Sequence, residues 1–139
     1  YGQILNDAVL AWPSEAPINV HGSLLPRWRR ASPVEHAVLA GDAETGVTIQ
    51  IMAKELDAGD VLAAESMPIN ARETAPELRA RMAEVGARLL IDTLKNPLSP
   101  VPQPTEGITV CRKLSREDGK VDPAAMSAEE IARSCPGRA

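Results

Sequence analysis

Apolar and polar positions alternate at Ile18, Asn19, Val20 and His21, the period of two that a strand requires. A strand here turns the aliphatic pair to one face and the amide and imidazole to the other. Gly22 closes it, Pro26 stiffens the following loop, and Arg27, Arg29 and Arg30 crowd that loop with Trp28. The period then changes. Ser32-Pro33 reads as an N-cap and first helical residue, and Val34, Ala37 and Val38 recur at i, i+3, i+4 along a helix to Ala40. His36 falls off that stripe, which predicts an exposed position. Beyond Gly41-Asp42, the β-branched run Thr45–Met52 predicts a strand. A charged loop, Lys54–Asp60, pivots on Gly59 and leads to a second strand, Val61–Met67. The connection is too short for a crossover helix, so the two strands are antiparallel.

Thr74-Ala75-Pro76-Glu77 has the form of a capping box, and the helix it starts runs to about Lys95. Leu78, Met82, Val85 and Leu89 form its apolar stripe; Arg79, Arg81, Glu84 and Arg88 form its wet face. Upstream, Asn6 or Asp7 caps a short helix over Ala8–Leu10 that Pro13 ends. Downstream, prolines 97, 100, 102 and 104 predict an extended linker, followed by a short strand over Ile108–Arg112 and a polar turn over Lys113–Asp122. Ser127 heads one more capped helix.

Composition sharpens this picture. Among 139 residues Phe is absent and the aromatics are Tyr1, Trp12 and Trp28, so the core is built from Ala, Val, Leu, Ile and Met and its stability is thin. Such a length gives one domain at most. A net charge of −4 argues against nucleic-acid binding through bulk charge, although Arg27, Arg29 and Arg30 form either a phosphate contact or a solvated loop. Cys111 and Cys135 lack metal-ligand spacing and the density of a disulfide scaffold, which points to a reducing compartment. No stretch has the apolar length of a membrane span or the form of a signal peptide, so the expected localisation is cytoplasmic.

Candidate chemistry centres on the polar face of the first strand. An Asn19–His21 pair alone is more commonly a hydrogen-bonded edge pair than a site, and Asp57 alone an ordinary turn aspartate. Three blocks change that reading: Asn19 to Arg29, Gly41 to Ile49, and Leu56 to Asp60. In order and spacing they resemble the folate-dependent formyltransferases. Lys113–Asp122 resembles the branch that formylates methionyl-tRNA rather than the sugar-modifying or purine-pathway branches. The resemblance runs from Tyr1 to about Arg133. It implies an α/β fold, part of a Rossmann-like formyltransferase domain with a mixed sheet and flanking helices. The chain opens at Tyr1 as if mid-domain, so residues 1–95 are expected to be the C-terminal half of a catalytic domain whose N-terminal half is missing. Residues 96–139 are expected to be a linker toward an absent C-terminal domain.

The resemblance also implies a reaction. A formyl group would pass from 10-formyltetrahydrofolate to the amino group of methionine on initiator tRNA, a step of translation initiation, without a metal. Implied partners are the folate donor and initiator methionyl-tRNA; the implied protein is a monomer without membrane attachment. Asn19, His21 and Asp57 are the implied catalytic set. The tetrahedral intermediate needs a donor for its oxyanion, which the neutral amide of Asn19 suits. It also needs a proton shuttle, which His21 suits, with Asp57 favouring the imidazolium or relaying protons through water. Ile4 and Leu5 are implied to line the pteridine pocket, with plain core packing as the alternative, and Ser23, Leu24, Leu25 and Pro26 to hold the folate. Formylation of an amino-sugar nucleotide and an inactive truncated chain are the alternatives. The sequence departs from the family at Arg30 and Glu55, where glycine is usual, and at Pro123, where tryptophan is usual. Arginine at a positive-φ glycine position strains the loop.

Overall fold

The computed structural model describes residues 5–134. In chain order these form α1 (Asp7–Leu10), β1 (Ile18–His21), β2 (Arg29–Arg30), α2 (Pro33–Ala40), β3 (Glu44–Ile51), β4 (Val61–Pro68), α3 (Ala75–Leu94), β5 (Val110–Cys111), a 3₁₀ turn (Arg116–Gly119) and α4 (Ala128–Ser134). The main sheet has the order β1-β3-β4 and is antiparallel throughout. Its register sets Ile18 opposite Ile51, Asn19 opposite Gln50, Val20 opposite Ile49 and His21 opposite Thr48. A second, two-stranded sheet pairs β2 with β5 in parallel. Strands of both senses with flanking helices make the α/β architecture expected.

Local chemistry explains the elements. The Asn6 carboxamide oxygen accepts from the Val9 N–H at 3.0 Å and caps α1. Thr74 and Glu77 close the capping box of α3, the Glu77 carboxylate accepting from the Thr74 N–H at 2.8 Å. Gly41 ends α2 at φ 71, a left-handed C-cap that glycine adopts without strain. The expected cap at Ser32 needs correction. Ser32 precedes the helix, but its own backbone is left-handed, φ 60, and its hydroxyl makes no capping bond.

The core consists of Val34, Val38, Val47, Ile49, Met67, Ala75, Leu78 and Met82, aliphatic residues and methionine as the composition requires. Leu78 is fully buried, and Val85 and Leu89 flank the cluster. Helix α3 approaches the sheet closely at Gly86, where a Cβ would lie 3.1 Å from Val20 Cγ1 and 3.4 Å from Val47 Cγ1. Its arginines lie on the wet side as expected, and each carries an ion pair there. Arg81 pairs with the buried Glu73 carboxylate at 2.6 Å, Arg88 with Glu65 on β4, and Arg79 with Glu35 on α2.

The remaining corrections concern the second sheet and the segment after α3. Arg29 and Arg30 form a strand, not only a loop, because Thr109 binds the backbone there. Its carbonyl accepts from the Arg29 N–H at 2.9 Å and its hydroxyl from the Trp28 N–H at 2.8 Å. The proline-rich stretch is bonded through its backbone to the main sheet at Val101, which exchanges bonds of 2.9 and 2.8 Å with Val61. The polar turn over Lys113–Asp122 contains the 3₁₀ turn, capped by Ser115 and Asp118. Arg133 on α4 donates to the Leu39 carbonyl at 3.2 Å and fixes that helix beside α2.

Leu78→Ala is expected to lower stability by about 2–5 kcal/mol, the range for truncating a fully buried leucine, in urea unfolding followed by circular dichroism. A change within the roughly 0.5 kcal/mol of surface substitutions would place Leu78 outside the core.

Candidate active site

The β1–β3 ladder builds the site. Directly opposed residues of an antiparallel pair share a face, so Asn19, His21, Thr48 and Gln50 lie on one side and Ile18, Val20, Ile49 and Ile51 on the other. The aliphatic side faces α3. Asn19 and His21, from the polar side, line a cavity of about 910 Å³ together with Asp57. The three residues proposed from the sequence are therefore brought to one space.

His21 is 5% exposed. Its Nε2 lies 3.0 Å from the Trp28 carbonyl oxygen and its Nδ1 3.6 Å from Asp57 Oδ1. Both ring nitrogens face oxygen atoms, the Trp28 carbonyl within hydrogen-bond reach and the Asp57 carboxylate just beyond it. Asn19 is half-buried in the cavity lining, and among the described residues its carboxamide has no hydrogen-bond partner.

Asp57 sits in the β3–β4 connection with φ 55, a left-handed conformation that aspartate tolerates better than most residues. Its Oδ2 accepts the Arg30 N–H at 2.8 Å and its Oδ1 accepts from Gln50 Nε2 at 2.9 Å. Gly59 permits the turn, since a Cβ there would meet the Ile51 carbonyl oxygen at 1.8 Å. Gln103 closes the arrangement. Its Nε2 donates to the carbonyls of Asp57 at 2.9 Å and Gly59 at 2.7 Å, while its Oε1 accepts from Arg29 Nε and Nη2 at 3.1 and 2.8 Å.

Opposite Asp57, the loop after β1 is clamped to β3. The Thr48 hydroxyl donates to the Ser23 carbonyl at 2.7 Å and accepts the Leu25 N–H at 3.1 Å. Trp28 stacks on His36 with ring centroids 5.5 Å apart and donates Nε1–H to Asp42 at 2.8 Å, while Arg27 lies 4.3 Å over its ring. Asp42 also binds the Arg27 guanidinium, holding it more firmly protonated than usual. His36 is thus half-buried rather than exposed, as its partner at the other end, the Arg112 carbonyl at 2.9 Å, also requires.

Other residues proposed from the sequence lie elsewhere. Ser23 is fully buried and its hydroxyl is committed to the Arg27 carbonyl at 2.5 Å. Leu24 lines a separate cavity of about 250 Å³ beside Trp28 and Thr45. Leu25 and Pro26 are half-buried in the loop and do not line the large cavity. Leu5 lines an apolar depression of about 420 Å³ with Val9 and Trp12, and Met52 lines both it and the large cavity. Ile4 and Cys135 lie outside the described residues. Cys111 is 2% exposed on the cavity wall, where burial pushes its thiol pKa up and the S–H donates to the Arg29 carbonyl at 3.1 Å. Sequence reasoning missed Gln50 and Gln103. Gln50 carried a signal, an amide within the aliphatic run Val47–Ile51; Gln103, between two prolines, carried none.

Against known proteins, the family profile described as Formyl transferase matches residues 1–94. The chain belongs to the formyltransferase family. It is 47% identical over 133 residues to a methionyl-tRNA formyltransferase of Acidiphilium cryptum, covering 96% of this chain and 44% of that one. With the enzyme of that name from Dechloromonas aromatica it shares 48% identity over 130 residues, 93% of this chain and 42% of the other. This formyltransferase chain thus spans under half the length of these curated relatives. Among solved structures, methionyl-tRNA formyltransferase from Clostridium thermocellum superposes with a TM-score of 0.79 at 18% identity, covering 96% of this chain and 57% of that one. An N-formyltransferase of Helicobacter canadensis, solved with folinic acid and dTDP-3-aminofucose, gives 0.72 at 22% identity, covering 85% and 45%. These two likenesses establish the Rossmann-like formyltransferase fold. Among the described residues no helix is long and apolar enough to cross a membrane.

Two predictions follow from the cavity rim. Arg112 binds Asp118 through two contacts, one of them 2.9 Å, and Ser115 donates its N–H to the same carboxylate at 2.7 Å, which together hold Asp118 well below the usual carboxylate range. A depressed folded-state pKa contributes stability above the unfolded value and loses it as pH falls through the folded one. The Asp118 carboxyl signal in a ¹³C titration is therefore expected to have its midpoint below the roughly 3.9 of free aspartate; a midpoint at or above that value would mean the contact is absent in solution. Arg30 is held at φ 77, and a left-handed conformation costs a residue with a Cβ roughly 1–2 kcal/mol. Arg30→Gly keeps the N–H bond to Asp57, so a net gain of up to about 1 kcal/mol is expected in urea unfolding after the greater chain entropy of glycine is subtracted; a loss would show the arginine side chain holding the turn.

Proposed function

We propose that this formyltransferase chain carries the transfer centre for moving a formyl group from 10-formyltetrahydrofolate to the α-amino group of methionine on initiator tRNA. The observation that carries the reading is the convergence of Asn19, His21 and Asp57 on one cavity. The choice of acceptor rests on the 47–48% identity to relatives named methionyl-tRNA formyltransferase. On this reading residues 1–95 are the second half of the catalytic domain. Residues 96–139 lead toward a further domain, contributing Cys111 and Arg112 to the cavity wall on the way. The acting unit is a monomer.

The chemistry assigns each group a task. The methionine amine attacks the formyl carbon, a C–N bond forms, the carbonyl oxygen gains negative charge, and the bond to N10 of the folate breaks as charge returns. Asn19 offers amide donors to that oxygen, and such a preorganised donor is worth most where water is excluded. His21 moves the proton from the attacking amine toward the leaving nitrogen, since imidazole is the side chain that changes charge nearest neutral pH. Asp57, facing Nδ1, orients the ring and balances its positive form. The apolar depression at Leu5, which shares Met52 with the lining of the cavity, suits the pteridine, with Ile4 beside it in sequence. Ser23, Leu24, Leu25 and Pro26 act by fixing the loop that bounds the folate.

The test supplies the chain, alone and together with the N-terminal half of a relative, with 10-formyltetrahydrofolate and either methionyl-tRNA or a dTDP-amino sugar. Formyl-methionyl-tRNA is the expected product. His21→Ala is expected to lower turnover by about 10²–10⁴, and Asn19→Ala by about 10²–10³. Equal turnover with and without His21 would sink the assignment. Preference for the sugar would move the chain to the other branch, and no transfer to either acceptor would make it an inactive member.

A further inference from the structure

We infer that Gln50 and Gln103 form an amide relay that positions Asp57 against His21, so both are positioning residues for the transfer. The inference rests on the functional reading above for its consequence, and on the geometry around Asp57 for its substance.

Gln50 is 1% exposed, in the middle strand of the sheet and flanked by Ile49 and Ile51. A primary amide in such a place is costly unless its hydrogen bonds are made. They are made to the site. Its nitrogen donates to Asp57 Oδ1, the oxygen that faces His21, and its oxygen lies 3.5 Å from Gln103 Nε2. The carboxylate is thereby shared. With one donor already on Oδ1 and the Arg30 N–H on Oδ2, Asp57 is restrained from collapsing onto the imidazole, and the His21–Asp57 separation stays at 3.6 Å.

Gln103 acts on the backbone of the same residue. Its donors hold the carbonyls of Asp57 and Gly59, and its acceptor is gripped by the Arg29 fork. Prolines 102 and 104 fix φ on either side, so the amide is delivered from a stiff segment. A left-handed non-glycine residue persists only where its surroundings over-determine it. At Asp57 they do: both carboxylate oxygens and the carbonyl are held by three different segments of the chain, through Arg30, Gln50 and Gln103.

Gln50→Met, which keeps length and volume but removes the donor, and Gln103→Ala are the test variants. In ¹⁵N relaxation of the 139-residue chain, the Asp57 and Gly59 amides are expected to show rigid order parameters near ~0.85 in the wild type and values below ~0.6 in Gln103→Ala. Amides of α3 report that the fold is kept. In the complemented transfer assay both variants are expected to lower kcat by roughly 10–100-fold, the effect typical of outer partners that orient a reacting group, with KM for the folate donor unchanged. An ordered 55–60 loop in Gln103→Ala, or a change in KM with kcat intact, would overturn the relay. Should the wild type transfer nothing, the functional reading fails, and the relay is then judged by the relaxation data alone.

Discussion

The pairing of β1 with β3 is the contact on which the rest depends. Its four opposed pairs sort side chains by face: Ile18, Val20, Ile49 and Ile51 on one, and on the other Asn19 and His21, which line the cavity, with Thr48 and Gln50, which bind the loops around it. A slip of one residue would exchange the two faces. In β1 it would press Asn19 and His21 onto α3 and turn Ile18 and Val20 to the side of the site. Core and site are therefore two sides of one ladder. The Gly86 gap that lets α3 reach Val20 and Val47 stabilises the same register that fixes the site.

Around that ladder the protein tolerates an unusual amount of local strain. Trp28, Arg30, Ser32 and Asp57 all have positive φ without being glycine, and three of them belong to the loop that shields His21. Each such residue costs free energy. The loop is nonetheless held, because its polar atoms find partners outside it: Thr48 binds Ser23 and Leu25, Thr109 binds Trp28 and Arg29, and Asp57 binds Arg30. The strain is offset at a distance by residues far along the chain.

That distance explains what sequence reading could reach. Period-two and helical patterns are local, so β1, β3, β4, α2 and α3 were legible to within a residue or two, as were the caps at Asn6 and Thr74. The resemblance gave the fold family. Arg29–Arg30 as a strand was not legible, since it exists only because Thr109, eighty positions later in the same fold, supplies the facing backbone. His36 was misjudged because the helical stripe reports what α2 packs against the core and says nothing of Trp28 arriving from the preceding loop. Within the candidate site, the pattern placed Asn19 and His21 on one face, yet the contacts of Gln50 and Gln103 depend on loop geometry that no local period encodes.

The single bridge between Val101 and Val61 has a metric consequence. Prolines at 100 and 102 cannot donate backbone hydrogen bonds, so the bridge does not extend into a ladder and works as a fixed pivot. Beyond it, Gln103 is two residues away. One inserted residue would shift its amide by roughly 3.3 Å along an extended chain, more than a hydrogen bond's length. The proline-rich segment beyond Val101 is thus a ruler for the loop that carries Asp57.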